Sequence, residues 1–172
     1  MKCIPEQTGL KKIISGGQTG VDRGALDAAL EWAFPCGGWC PEGRKAEDGE
    51  ISDRYPVREL KGAGYKERTL KNVRDGDGTV IIYFGFPTGG TEETMAFCMR
   101  EKKPYLLIDG QEMLLSRTSE RIIEFIEINH ISILNVAGPR ASQNELAYEY
   151  AKNALIRCLN QLSTTNTNIE MD

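Results

Sequence analysis

The sequence predicts an α/β fold built as a three-layer, doubly wound, mainly parallel sheet with helices on both faces. Short apolar runs alternate with segments whose apolar residues recur at helical spacing, which is the pattern of repeated strand–helix units. A glycine-rich loop follows three of the apolar runs, as strand-to-helix turns of a parallel sheet do. The 172 residues, 40% hydrophobic and 27% charged, match a single globular domain over residues 1–172.

Five runs predict strands. The first run (KKIIS) is β-branched, and the run over residues 78–85 is apolar throughout, as a strand buried on both faces is. Residues 104–109 are another run of this buried type. The second is a short strand in a region otherwise rich in polar residues. The predicted strands are residues 11–15, near 37–39, 78–85, 104–109 and 131–137.

Five segments predict helices because their apolar residues fall on one face. In the first helix Val21, Ala25 and Ala29 share a face, and in the last helix Leu146 and Tyr150 do. The predicted helices are residues 21–33, about 67–74, a segment through 95–98, 119–129 and a final segment that Ser142 caps.

Local signals mark the ends of these helices. Thr19 with Asp22 (T-x-x-D) and Ser142 with Glu145 (S-x-x-E) predict capping boxes. His130, the only histidine, lies between a predicted helix and a predicted strand. We expect it to cap the C-terminus of that helix.

The two ends and the middle of the chain lack such patterns. Residues 1–9 are mixed and residues 163–172 (STTNTNIEMD) are polar, so both ends are predicted to be loose. Residues 35–75 hold a long polar loop rich in Gly, Glu and Arg. Loops of this length in compact domains are functional or disordered.

Composition excludes several classes of protein. The net charge of −4 argues against a basic coat that would neutralise a nucleic-acid backbone. No apolar run approaches the ~18 residues of a membrane span, and the N-terminus has no apolar segment of a secretion signal. The 5 cysteines are odd in number and widely spread, which is typical of reduced thiols in a cytoplasmic protein.

Three glycine-rich loops are the main functional signal, because each joins the end of a strand to the start of a helix. Such loops all lie at the carboxyl edge of a parallel sheet, where ligands bind. Glycine lets the backbone approach a ligand, and helix N-termini offer free N–H groups that suit phosphate. Plain tight turns are the alternative interpretation. The loops are residues 15–20 (SGGQTG), 85–91 (GFPTGGT) and 137–142 (AGPRAS).

Acidic residues in the first turns of the same helices count against a bound anion. Asp22, Glu92, Glu93 and Glu145 already satisfy the helix dipoles and would repel phosphate. Their alternative role is to accept hydrogen bonds from ribose hydroxyls or heterocycle N–H groups. Both roles remain open at this stage.

Two nucleotide-binding motifs are excluded. Gly85 and Gly90 have the spacing of a P-loop, but Thr91 stands where its lysine belongs, and no G-x-G-x-x-G dinucleotide motif occurs.

Cys36 and Cys40 have a spacing compatible with zinc, yet no second pair completes a site. We therefore predict no metal held by protein ligands. A single histidine also argues against Ser-His-Asp and Cys-His catalysis.

Charged residues outside the loops are further candidates. In residues 41–51 (PEGRKAEDGEI), Arg44 is suited to fork onto phosphate, and Glu47 and Asp48 to accept hydrogen bonds. An ordinary turn on a solvated surface is the alternative. Arg68, Thr69 and Asn72 would share one helix face.

Six blocks of sequence, which together cover most of the chain, form a recognisable set: SGGQTGVDRGALDAA (15–29), PEGRKAEDG (41–49), RTLKNV (68–73), DGDGT (75–79), GGT (89–91) and NVAGPRAS (135–142). Together these blocks resemble the molybdenum carrier family. That family is related to molybdenum cofactor carrier proteins and to the Rossmann-like group that includes the lysine-decarboxylase-like phosphoribohydrolases.

The resemblance implies a Rossmann-like sheet, a homodimer or homotetramer, and a phosphorylated ligand at the glycine loops. In the carriers that ligand is molybdenum cofactor, a pterin dithiolene with a phosphate tail, which is passed to molybdoenzymes. The ligand-binding residues we expect are Gly16, Gly17, Gln18, Thr19, Gly20, Arg44, Glu47, Asp48, Asn72, Gly89, Gly90, Thr91, Gly138, Arg140 and Ser142.

Two other functions stay open. One is cleavage of the N-glycosidic bond of a nucleoside 5'-monophosphate, with Arg44 and Glu92 or Glu93 as catalytic candidates. The related hydrolases resemble P-G-G-x-G-T-x-x-E, whereas Thr94 takes the place of that glutamate here, which favours binding over hydrolysis. The other is a nucleotide-sensing module that acts through partners.

Overall fold

The computed structural model describes residues 9–164, in which nine strands and five helices follow one another. The strands are β1 (Lys12–Ile14), β2 (Cys36–Gly37), β3 (Trp39–Pro41), β4 (Lys45–Ala46), β5 (Gly49–Glu50), β6 (Arg58–Leu60), β7 (Gly78–Tyr83), β8 (Tyr105–Asp109) and β9 (Ile133–Ala137). The helices are α1 (Val21–Glu31), α2 (Tyr65–Asp75), α3 (Gly90–Arg100), α4 (Leu115–Ile128) and α5 (Ala147–Thr164).

The central sheet has five strands in the order β2-β1-β9-β7-β8, and every pairing is parallel. The last strand along the chain, β9, lies in the middle and pairs with β1 on one side and β7 on the other. From β1 the chain continues outward to β2, and from β7 it continues outward to β8. The strand order therefore reverses around β9, where α/β sheets place their ligand crevice.

Alternate residues of β7 show that both faces of the sheet are covered. Val80 and Ile82 belong to the apolar cluster that α1, α4 and α5 form on one face, and Ile81 packs with Val73 of α2 and Phe97 of α3 on the other. Successive side chains of a strand point to opposite faces. The predicted three-layer, Rossmann-like architecture is thus confirmed. Within residues 9–164, no helix has the length and apolar character needed to cross a bilayer.

Two predictions about individual elements were wrong, and the structure decides a third point, which is whether the long middle loop is ordered. β8 lies at the sheet edge, so Leu107 is 37% exposed rather than buried. Helix α4 begins at Leu115, four residues before the predicted position 119. Its first turn is mostly polar, so the apolar stripe used for the prediction does not mark it. The long loop over residues 35–75 is ordered, with a parallel pair (β3 with β6), an antiparallel pair (β4 with β5) and the 3₁₀ turn Glu42–Arg44.

The predicted capping boxes were also wrong, because other groups engage these side chains. Helix α1 has Gly20 as its N-cap, and the Thr19 hydroxyl donates to Glu47 instead. Helix α5 begins only at Ala147, so Ser142 precedes it by five residues and bonds Glu47 as well. Leu146 is accordingly outside the helix and 61% exposed.

Two further predictions concern the end of α4 and the two ends of the chain. His130 has a φ of 50° directly after α4, and its N–H donates to the carbonyl of Glu127 at 3.3 Å, which confirms the predicted cap. Of the predicted loose ends, residues 1–8 and 165–172 lie outside the described region. Ser163 and Thr164 continue α5.

Asp27 links α1 to two distant segments, and we expect its substitution to lower the stability of the fold. Its carboxylate accepts hydrogen bonds from the guanidinium of Arg54 (2.6 Å) and the hydroxyls of Tyr148 (2.6 Å) and Tyr55 (3.2 Å). Asp27→Asn should lower the free energy of unfolding by about 1–3 kcal/mol, because these donors lose a buried charged acceptor. Urea unfolding measures this loss. Asp53→Asn, on a fully exposed side chain, is the matched control, and an equal effect of both substitutions would contradict the prediction.

Candidate functional site

The three glycine-rich loops converge on one cavity at the carboxyl edge of the sheet. They follow β1, β7 and β9, which are neighbouring strands. The cavity has a volume of about 80 Å³. Its lining residues are Gly16, Gln18, Asp22, Tyr65, Arg68, Thr69, Asn72, Gly90, Thr91, Glu93, Thr94, Asn135, Val136, Ala137, Gly138, Arg140 and Gln143. All three loops contribute to this list.

Helix α2 forms the fourth side of the cavity. Its lining residues Tyr65, Arg68, Thr69 and Asn72 follow helical spacing, so they share one face. The buried Asn72 amide accepts from the N–H of Trp39 (2.8 Å) and donates to its carbonyl (2.9 Å). This pair of bonds holds α2 against β3 and fixes the position of the polar face.

Arg68 is the buried cation of the cavity and is 9% exposed. Its Nη1 donates to the Asp22 carboxylate at 2.9 Å, and its Nε donates to the carbonyl of Tyr65 at 3.2 Å. A Cβ on Gly16 would lie 1.2 Å from that Nη1, so only glycine leaves room for the guanidinium. The hydrogen bonds of the Arg68 guanidinium to Asp22 and Tyr65 thus use Nη1 and Nε.

Asp22 balances this cation with a buried negative charge. The carboxylate also accepts the N–H of Gln18 at 3.2 Å. Burial raises the pKa of Asp22, while the Arg68 charge and these hydrogen bonds act in the opposite direction. An amide of the first loop therefore already has an acceptor within the protein.

The first and third loops are in direct contact. Val21 donates its N–H to the carbonyl of Pro139 at 3.2 Å. Gly20 has a φ of 80°, and a Cβ at this position would lie 2.3 Å from the same carbonyl oxygen. Glycine is required here for both its left-handed conformation and its lack of a side chain.

Glu47 occupies the junction of these two loops. Its carboxylate accepts the N–H of Ser142 at 3.1 Å and the hydroxyls of both Ser142 and Thr19. Arg140 Nε lies 4.0 Å from the same carboxylate. The prediction that free amides from all three loops surround a ligand therefore needs correction, because Glu47 takes the Ser142 amide and Asp22 takes the Gln18 amide.

Two other charged candidates lie away from the cavity. The Arg44 guanidinium donates to four backbone carbonyls, those of residues 51, 52, 55 and 57, at 2.8–3.0 Å. It therefore holds the 51–57 segment in place and does not line the cavity. Asp48 forms a two-pronged ion pair with Arg23.

The acidic candidates at the start of α3 separate. Glu92 is exposed and outside the cavity lining, whereas Glu93 lines the cavity and lies 3.1 Å from Lys66 Nζ. Thr94, which takes the place of the hydrolase glutamate, is buried, and its hydroxyl donates to the carbonyl of Gly90. Of the three catalytic candidates Arg44, Glu92 and Glu93, only Glu93 therefore lines the cavity.

The N-terminus of α3 offers donors on the opposite side of the cavity from α1. Gly90 and Thr91 both line it. A Cβ on Gly90 would meet nothing within 4 Å. The N–H groups of Gly90 and Glu92 have no hydrogen-bond partner among residues 9–164, as is usual for a first helical turn. These groups suit an anion.

The remaining predicted ligand-binding residues fall into two groups. Those that line the cavity are Gly16, Gln18, Asn72, Gly90, Thr91, Gly138 and Arg140, and those in the same loops but outside the lining are Gly17, Thr19, Gly20, Gly89 and Ser142. The prediction of ligand-binding residues omitted Tyr65, Arg68 and Thr69. Arg68 and Thr69 were nevertheless predicted to share a helix face with Asn72, and the same helical spacing extends to Tyr65.

Other groups of the chain lie apart from this cavity. A wider groove of about 340 Å³ lies beside β1 and β2, and its lining includes Lys12, Trp39 and Arg58 but none of the loop residues. Cys36 and Cys40 are free thiols, and burial raises the pKa of both. Among the described residues, no three His, Cys, Asp or Glu side chains are grouped to hold a metal ion.

Comparison with known proteins supports the predicted resemblance. The sequence profile of the circularly permutated YpsA SLOG family matches residues 13–159. A crystal structure from Syntrophus aciditrophicus SB, of a protein named "Putative molybdenum carrier protein", is 41% identical. It superposes with a TM-score of 0.84 over 88% of this chain and 95% of that chain. No curated protein matches significantly. The chain belongs to the circularly permutated YpsA SLOG family.

Proposed function

We propose that this protein binds and carries a small ligand with an anionic end, and that the ligand is molybdenum cofactor or a related phosphorylated pterin or nucleotide. The observation that carries the proposal is the convergence of three strand-to-helix loops with Arg68 and Arg140 on one cavity. Loops, helix N-termini and guanidinium groups are the usual means by which α/β proteins bind phosphate.

The donors of the cavity support an anionic group at the α3 end. The free N–H groups of the first turn carry the positive end of the helix dipole. Within the cavity, Asp22 pairs with Arg68 and Glu93 pairs with Lys66. The helix N-terminus and the Nη2 group of Arg68 are then available to bind the anion, together with Arg140, whose Nε also lies 4.0 Å from the Glu47 carboxylate.

The size of the cavity limits what it encloses. About 80 Å³ accommodates a phosphate group, whereas pockets for whole drug-sized ligands measure roughly 300–1,000 Å³. The ring system of a pterin or a base therefore lies at the mouth. Tyr65 lines the cavity and is 41% exposed. The guanidinium carbons of Arg140 and Arg68 lie 5.7 Å and 5.8 Å from the centroid of its ring, so a planar ligand ring would meet an aromatic and cationic surface here.

Molybdenum cofactor fits these features as cargo. Its metal is held by the dithiolene sulfurs, so the carrier needs no metal ligands of its own. The similar protein from Syntrophus aciditrophicus is named as a molybdenum carrier. We propose by the same resemblance that the protein works in the cytoplasm as a dimer or tetramer and passes its ligand to molybdoenzymes.

Anaerobic purification tests the identity of the ligand. We expect the protein to retain molybdenum, measured by elemental analysis, together with an equal amount of pterin, measured by fluorescence after oxidation. Protein purified from cells that cannot make the cofactor is the control. Tight binding of plain nucleotides without any pterin would contradict the molybdenum part of the proposal.

A further inference from the structure

Glu47 is bound by its own protein in the way that a free anion would be. Two hydroxyls and one backbone N–H donate to its carboxylate, from Thr19 of the first loop and Ser142 of the third. The Thr19 hydroxyl in turn accepts the N–H of Ala141 at 3.1 Å. Charge-assisted hydrogen bonds of this kind are the contacts that loops give to phosphate oxygens.

The hairpin that carries Glu47 is anchored to the first loop. The N–H of Glu47 donates to Gln18 Oε1 at 2.9 Å, and the neighbouring Asp48 pairs with Arg23. Arg23 Nε donates to the carbonyl of Gly17 at 3.1 Å. The carboxylate is therefore held at the junction of the loops by its backbone as well as by its side chain.

The Glu47 carboxylate stays ionised in this setting. Burial alone would raise its pKa, but the hydrogen bonds from Ser142 and Thr19 and the charge of Arg140 lower the pKa below its ordinary value. The junction therefore carries a fixed negative charge at neutral pH.

Arg140 connects this charge to the cavity. It lines the cavity, and its Nε is 4.0 Å from the Glu47 carboxylate. Gln18 makes a second connection, because it lines the cavity and accepts the Glu47 N–H. Glu47 itself is outside the cavity lining, so a ligand phosphate held by Arg140 would have the Glu47 carboxylate on the far side of that side chain, where a second phosphate of the same ligand would lie.

We infer that Glu47 fills a second anion position at this edge of the sheet, so that the site accepts a ligand ending in one phosphate and rejects one that carries a diphosphate. The inference rests on the proposed function, since it requires an anion in the cavity. It names the class of that ligand, a monophosphate ester, and it makes Glu47 the residue that determines this specificity.

Isothermal titration of the full chain with inorganic phosphate and with pyrophosphate tests the inference. The wild-type protein should bind pyrophosphate no more tightly than phosphate. In Glu47→Ala we expect pyrophosphate to bind at least tenfold more tightly, while phosphate affinity changes less than threefold. Glu50→Ala, an exposed position of the same hairpin, should behave as the wild type does.

The outcomes separate this inference from the proposed function. Binding of phosphate with an unchanged preference in Glu47→Ala would overturn the role of Glu47 and leave the anion site standing. Binding of neither anion by the wild type would count against the proposed function and, because the role of Glu47 requires an anion in the cavity, against that role as well. Glu47→Ser, which also empties the anion position but keeps a polar group at the junction, decides the result if Glu47→Ala does not fold.

Discussion

Gly90→Asp should abolish phosphate binding while leaving the fold intact. The new carboxylate would lie in the first turn of α3, on the cavity lining. At about 4 Å and an effective dielectric constant of about 20, two like charges repel by about 4 kcal/mol, which is roughly a thousandfold loss of affinity. Stability should not fall, because the Cβ meets no atom within 4 Å and an acid in a first helical turn is favourable.

Titration with inorganic phosphate at low ionic strength measures this effect. Gly90→Asn is the matched control, since it adds a side chain of the same size without the charge, and we expect its affinity to stay within about fivefold of the wild type. Thermal melting of both variants checks that they fold. If Gly90→Asp binds phosphate as the wild type does, the anion does not lie at the α3 N-terminus.

Arg68→Met should destabilise the protein more than the other substitutions considered. It leaves the Asp22 carboxylate buried without its cation, and breaking a buried ion pair in this way costs about 3–5 kcal/mol. The side chains of Arg68 and Asp22 are 11% and 7% exposed, so solvent cannot replace the lost partner. Urea unfolding measures the change in the free energy of unfolding.

Two comparisons identify the ion pair as the cause. Arg74→Met removes an exposed arginine from the same helix, and we expect a change of at most about 1 kcal/mol, as for other surface pairs. Asp22→Asn combined with Arg68→Met should recover part of the loss, because the buried charge is gone. If Arg68→Met lowers the free energy of unfolding no more than Arg74→Met does, the buried ion pair between Arg68 and Asp22 is not an important source of stability.

The fold was largely predictable because its signals are local. Alternating apolar runs and helical stripes depend on neighbouring residues, so β7, β9 and α1 appear in the sequence almost as they do in the structure. β8 was among the exceptions, since a strand at the sheet edge exposes Leu107 and its sequence alone does not show which strand lies at the edge.

The site was predictable in outline and not in its partners. Glycine loops after strands mark the carboxyl edge, and this placed Gly16, Gly90 and Gly138 around one cavity. Glu47 accepts hydrogen bonds from Ser142, which lies 95 residues further along the chain, and no local sequence pattern predicts a contact between residues so far apart. The sequence also could not show that Arg44 donates to backbone carbonyls, because that contact depends on how the middle loop folds. Nor could it show that the Thr19 hydroxyl contacts Glu47 rather than capping α1.

The most direct test of the central claim is a crystal of the protein soaked in arsenate, a heavier analogue of phosphate, with its position found from anomalous scattering. We predict a peak within hydrogen-bonding distance of the Gly90 N–H group and of a guanidinium of Arg68 or Arg140. The peak should be absent in Gly90→Asp crystals treated in the same way. A peak confined to the groove beside Lys12 and Arg58, or none in the cavity between the three loops, would contradict the account.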